Sequence, residues 1–303
     1  MDKLPLTDDL FPEIYLPDWN ALQIATNEEP FTEAAFYLLR ECAQTCTILA
    51  VTQSDIPLTR NKAIDMGLAV RLSKLGKAIV RDLSNQECFQ QLSLSRQILE
   101  TSANLVYLIN DDGSGSRYDE YVMDSLVAER ETLKVVQANV KERGGEIWHI
   151  EKRMRASIEK TASDAGIDNV EDLPGRKKIG FPSIEDRIQL LGTTTYVGYR
   201  TGSAEVHGTW TDLIKYHLTY DGTSFAPNPE NPNPRPHVAT TTTSVLARVF
   251  QAFLDSIDVE ELDDRFEPLF VDLIARNDKL VAVHEEWLEK QDKKLKTRSK
   301  SRN

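Results

Sequence analysis

Cysteine is scarce in this chain: 303 residues hold three, Cys42, Cys46 and Cys88. The odd number and the lack of a Cys-x-x-Cys pair exclude a disulfide framework and an ordinary zinc knuckle. Cys42 and Cys46 stand four apart on a helical pattern, so both are expected in one core. Long apolar runs are missing too. None reaches the roughly 18 residues a membrane helix needs, so no membrane partner is expected. Also lacking are a Gly-x-x-x-x-Gly-Lys phosphate loop, a Gly-x-Gly-x-x-Gly turn and a Gly-x-Ser-x-Gly elbow, which removes the common nucleotide-binding and hydrolase classes. No two histidines have the His-x-x-x-His or His-Glu-x-x-His spacing of a helical metal site. Neither a metal nor any other cofactor is expected.

Positive charge is in deficit overall, with a formal net charge of -12. That argues against a surface that coats nucleic acid as a whole. The balance is uneven, because Lys290 to Asn303 carries seven Lys or Arg and one Asp, +6 against -18 for the rest. Hydrophobic residues at 40% and charged residues at 28% are ordinary for a cytosolic globular protein. The start, Met-Asp-Lys-Leu-Pro-Leu-Thr-Asp-Asp, is acidic and broken by proline, unlike a secretory signal, so a cytoplasmic location is the expectation.

What is present is helical periodicity. Pro5, Pro12, Pro17 and Pro30 make residues 1–30 an irregular arm, with Phe11, Tyr15, Leu16, Trp19 and Leu22 as anchors onto the domain. Between 31 and 172 the only proline is Pro57, and apolar residues recur at about 3.6. Helices are expected over 32–53, 58–82, 86–110, 117–142 and 146–165, broken at Gly113, Gly115, Gly144, Gly145 and Gly166. Ser183-Ile184-Glu185-Asp186 reads as a capping box opening a short helix that Gly192 ends. Thr193 to Thr195 start another helix, expected to reach Trp210 or Tyr216. Residues 222–237 pack five prolines into sixteen positions and read as a loop. Helices over 238–257 and 266–291 close the pattern. The second carries Phe270, Leu273, Asn277, Leu280, His284 and Trp287 on a seam. The fold class expected is all-α: a multi-helix bundle with the arm at 1–30, a single helical domain at 31–290 and a basic tail at 291–303.

Two constellations carry chemistry. In Tyr196-Val-Gly-Tyr-Arg-Thr-Gly-Ser-Ala-Glu-Val-His207, seven residues on a helix return to within about 20° of one face. Arg200, Ser203 and His207 therefore share a stripe, and Gly198 and Gly202 form a second one where another helix can approach. A guanidinium, a hydroxyl and an imidazole on one stripe suit an anionic phosphate. On the expected helix 86–110, Arg96 and Glu100 stand four apart, either as a solvated pair or within a partly closed groove. The other histidines, His149, His217, His237 and His284, are weaker candidates.

Arg-x-x-x-Glu at Arg96 and Glu100, followed by Tyr-Arg-x-x-Ser-x-x-x-His-Gly at Tyr199 to Gly208, is similar to a bacterial family known only as a domain of unknown function. The resemblance spans roughly residues 60–255. More distantly, Arg200 and His207 resemble the Arg-x4–6-His signature of the HEPN superfamily, although Thr201 follows the arginine where a polar Asn, Asp or His is usual. That resemblance implies a helical bundle, often dimeric, that cleaves RNA without metal in stress or antiphage responses. It implies His207 as acid or base, Arg200 as phosphate clamp, Glu100 orienting them, and Arg96, Ser203 and Tyr199 binding substrate. Seven residues rise about 10.5 Å, so one copy hardly places both groups on one phosphate, and a homodimer with RNA as partner is expected. The alternative from the residues themselves is a non-catalytic interaction module, whose Arg/Glu/His cluster is a buried structural network.

Overall fold

The computed structural model of the protein describes residues 7–52, 57–257 and 259–300. The first six residues of the expected arm and the last three of the basic tail lie outside these. Among the described residues eight helices exceed twelve residues: α1 (Glu29–Val51), α2 (Arg60–Ser84), α3 (Gln91–Ile109), α4 (Ser116–Glu142), α5 (His149–Asp164), α6 (Thr193–Val206), α7 (Pro236–Ile257) and α8 (Glu260–Lys300). The fold is all-α, as the periodicity predicts. No helix among the described residues is long and apolar enough to cross a membrane.

Three differences from the expected elements have local causes. The helix after Thr193 stops at Val206 instead of running to Trp210 or Tyr216. Gly208 takes a left-handed φ of 55°, its N–H donates to the Glu205 carbonyl, and the Thr209 N–H reaches back to Ala204. That is the pattern of a glycine-terminated helix end. The proline-rich loop opens with a short antiparallel hairpin, β1 (Leu218–Tyr220) with β2 (Phe225–Pro227). Asp221 closes its turn by accepting the Thr223 and Ser224 N–H groups, both at 2.8 Å. Finally, α8 begins six residues before the expected 266 and continues through the basic segment to Lys300.

The chain packs as two compact units. One comprises residues 58–63 and 110–183, and so contains α4 and α5. Its core is Leu126, Leu133, Ile158, Ala162, Val170 and Leu173. The Asp111 carboxylate organises the approach to α4, accepting the Gly113, Gly115 and Arg117 N–H groups at 2.8–3.2 Å.

The other unit holds α1, most of α2, α3, α6, α7 and α8. Within it α7 packs on α1, α3 and α8, and α6 packs on α3. Phe31, Phe250, Phe253, Phe266 and Phe270 are fully buried, each contributing about 1.5–3 kcal/mol by leaving water. Cys42 and Cys46 are buried side by side in that core as free thiols. The buried Thr242 and Thr243 of α7 donate their hydroxyls to the carbonyls four residues back, which satisfies both groups within the helix. Phe11 of the arm lies 5.3 Å from Phe266, Tyr15 stacks on Tyr37, and Leu22 is buried, whereas Leu16 stays exposed.

Candidate functional site

α6 meets α3 through the glycine stripe. A Cβ at Gly202 would lie 2.7 Å from the Leu92 carbonyl oxygen and 2.8 Å from the Arg96 Cβ, so any side chain there would push the helices apart. Gly198 is less tight, with Leu99 Cδ1 at 3.5 Å from the equivalent position. Close approach is thus decided at one residue.

Beside that contact, Arg96, Glu100 and Tyr199 come together. Arg96 Nε donates to Glu100 Oε1 at 2.8 Å, and the guanidinium lies over the Tyr199 ring, 5.0 Å from its centroid. Burial works against the arginine's charge, but Glu100 more than offsets it and raises the Arg96 pKa. Burial also raises the Tyr199 phenol, with Arg96 pulling the other way. The Arg96–Glu100 pair is partly enclosed rather than freely solvated, with the arginine side chain 18% exposed.

Arg200 and His207 do not join this cluster. Both are exposed, and among the described residues neither side chain has a hydrogen bond or ion pair. Helix geometry explains it: residues 200, 203 and 207 lie roughly opposite the 198–202 stripe that carries α3. His207 forms the cap of α6, its backbone N–H donating to the Ser203 carbonyl. The Ser203 hydroxyl donates to the Tyr199 carbonyl at 3.0 Å, a bond within the helix.

The inward stripe carries a group the sequence reading did not single out as chemical: Glu205. Both of its carboxylate oxygens are closed off from solvent without a hydrogen-bond partner. Burial pushes its pKa up to about 7. The Ser93 N–H and hydroxyl draw it partly back, although neither reaches good hydrogen-bond geometry, and the nearby Asp212 charge pushes it up again. Glu205 and Asp212 line a cavity of about 210 Å³ walled by Phe89, Leu92 and Val238, with Arg235 and His237 at its rim. Asp212 is buried and lies 3.4 Å from His217 Nε2. Gln91 Nε2 is a further orphaned donor on the lining. A carboxyl that titrates near neutrality can take or give a proton at physiological pH. The signal for Glu205 was available: seven residues after Gly198, it had to share the glycine stripe.

The geometry is an all-α scaffold with an arginine–glutamate–tyrosine clamp, and comparison with known families shows where it belongs. Residues 62–224 match a family of unknown function, DUF5677. The match spans just over half of the 303 residues. The chain belongs to that family. The DUF5677 segment runs from α2 into the hairpin, so it contains Arg96, Glu100, Tyr199, Arg200, Ser203, Glu205 and His207, and it excludes α1, α7 and α8. Its description names no activity. No curated protein and no solved structure matches the chain.

Proposed function

We propose that this DUF5677 protein is a HEPN-like, metal-independent endoribonuclease whose site is completed by a second copy of the chain. The observation that carries the reading is the outward stripe of α6. It presents the Arg200 guanidinium and the His207 imidazole to solvent with no described partner to neutralise either, in a chain of 48 acidic residues. His207 takes the 2′-hydroxyl proton as the 2′-oxygen attacks phosphorus, and returns it to the departing 5′-oxygen. Arg200 stabilises the negative charge that grows on the phosphate. Side chains about 10.5 Å apart along one helix reach one phosphate when each comes from a different copy across a two-fold axis. Arg96, Glu100 and Tyr199 act in this reading by holding α6 on α3, so that the stripe is presented in one orientation, and Ser203 stands on that stripe between Arg200 and His207 as a hydroxyl for the phosphate.

A second reading, the non-catalytic interaction module, is favoured by one observation: Arg96 and Glu100 are already taken up by each other and by Tyr199. RNA incubated with the full chain in EDTA separates the two. The nuclease reading expects fragments ending in 2′,3′-cyclic phosphate. It also expects inactive Arg200→Ala and His207→Ala variants that regain up to about a quarter of the wild-type rate when mixed, since half the dimers then hold one intact shared site. Inert wild type, or full cleavage by His207→Ala, leaves the module reading in its place.

A further inference from the structure

Outside α6 itself, three side chains far apart in sequence converge. Glu28 immediately precedes α1, His237 is the second residue of α7, and His284 sits midway along α8. Their ligating atoms all lie within 4.8 Å of one another. Among the described residues no other group of three His, Cys, Asp or Glu side chains does so. Glu28 Oε1 is 2.9 Å from His284 Nε2, and the two imidazole rings are 4.9 Å apart between centroids. Glu285 adds a fourth oxygen, 3.6 Å from His237 Nε2.

We infer that Glu28, His237 and His284 form a binding site for a divalent transition-metal ion of the zinc type. Two imidazoles with one carboxylate are the donor set of a three-protein-ligand zinc site, and imidazole nitrogen selects such ions over calcium or magnesium, which prefer all-oxygen shells. Bonds of about 2.0–2.2 Å in a tetrahedron put ligand atoms roughly 3.3–3.5 Å apart. The cluster is therefore within about 1.5 Å of closing, and the exposed His237 is the side chain free to complete it.

The surroundings fix His284, and His284 in turn holds the Glu28 carboxylate. His284 is buried against Phe31 at 4.8 Å and parallel to Trp287, whose indole N–H is anchored on the Ala25 carbonyl at 2.8 Å. These contacts hold the ring in one orientation and exclude water from one side of it, which strengthens a metal–ligand bond. The remaining coordination position is left to Glu285 or to solvent. His237 also lines the cavity that holds Glu205, so an ion bound here would sit at the margin of that cavity. A carboxylate one residue before one helix and histidines near the start of a second and inside a third make no local spacing, which is why no sequence motif announces them.

The site lies outside the DUF5677 segment and apart from the α6 stripe, and the RNA assay is run in EDTA, so the two proposals stand or fall separately. The experiment is titration of EDTA-stripped, dialysed full-length protein with ZnCl2 by calorimetry, with CoCl2 absorption as a second readout. The expected result is one ion per chain at micromolar or tighter affinity, a raised melting temperature, and the intense visible bands of tetrahedral cobalt. His237→Ala, at an exposed position that does not threaten folding, should weaken binding about 100-fold, because one of three protein ligands is lost. Glu28→Gln should act in the same direction, and His149→Ala should change nothing. No saturable zinc binding, binding untouched by His237→Ala, or equal affinity for MgCl2 would overturn the inference.

Discussion

Glu205 is a carboxyl placed where water does not reach it and no donor satisfies it, and its pH behaviour follows. The folded protein binds its proton more tightly than the unfolded chain does, with a pKa near 7 against the ordinary 4.5. Linkage then gives the sign: the favourable contribution of the protonated group is complete below about pH 4.5 and disappears as pH rises through about 7. Wild type should lose on the order of 1–2 kcal/mol of stability from this group between pH 5 and 8, the partial burial reducing the full linkage value. Glu205→Gln should lack that slope. Urea denaturation at several pH values measures it, and parallel slopes for the two proteins would refute the burial argument. The residue was legible as part of a glycine stripe. Its surroundings were not, because Ser93 and Asp212, which act on its charge, come from other segments.

At the scale of elements, the α3–α6 contact rests on Gly202. Replacing a helical glycine by alanine ordinarily gains up to about 1 kcal/mol of helix propensity. At Gly202 the obstructing atom is the Leu92 carbonyl oxygen, part of a backbone that cannot rotate aside. Overpacking should win, and Gly202→Ala should cost about 1–3 kcal/mol. Gly198→Ala, with only ordinary van der Waals contact around the new methyl, should be neutral or slightly stabilising. Opposite signs for two alanines one helical turn apart, read by thermal melting, are the test. Gly208 belongs to this scale too. A glycine two residues after Val206 is a standard helix stop, so the end of α6 was available from sequence at Gly208, short of Trp210 or Tyr216.

At the scale of the molecule, the N-terminal arm, α1 and α8 are tied by one buried ionic cluster. Arg276 grips Glu41 with two donors, Nη1 to Oε2 at 2.8 Å and Nη2 to Oε1 at 2.6 Å. It also donates to Asp272 and to the Tyr15 carbonyl, while the Tyr15 N–H donates to Glu41. Burial opposes the Arg276 charge, and Glu41 overcomes it, raising the pKa. Glu41→Ala would leave that guanidinium, 7% exposed, without its main counterion. A loss of about 3–5 kcal/mol is expected in urea unfolding. The double variant Glu41→Ala with Arg276→Leu should recover part of it, because no charge is then stranded. An equal or larger loss in the double variant would show that packing, not ion pairing, dominates here.

The sequence by itself determined the class and most of the elements. Apolar residues at a period near 3.6, few interior prolines and glycines at the breaks leave a chain of long helices, and that information is local. It also placed Gly198 and Gly202 on the side of α6 that another helix approaches. Only the tertiary structure decided which helix that is. The same packing enclosed Arg96 with Glu100 and Tyr199, turned Arg200 and His207 outward, sealed Glu205 beside Asp212, and brought Glu28, His237 and His284 within reach of one ion. Each of those outcomes depends on segments many residues apart meeting through packing, and periodicity within one helix says which face is buried without saying what buries it.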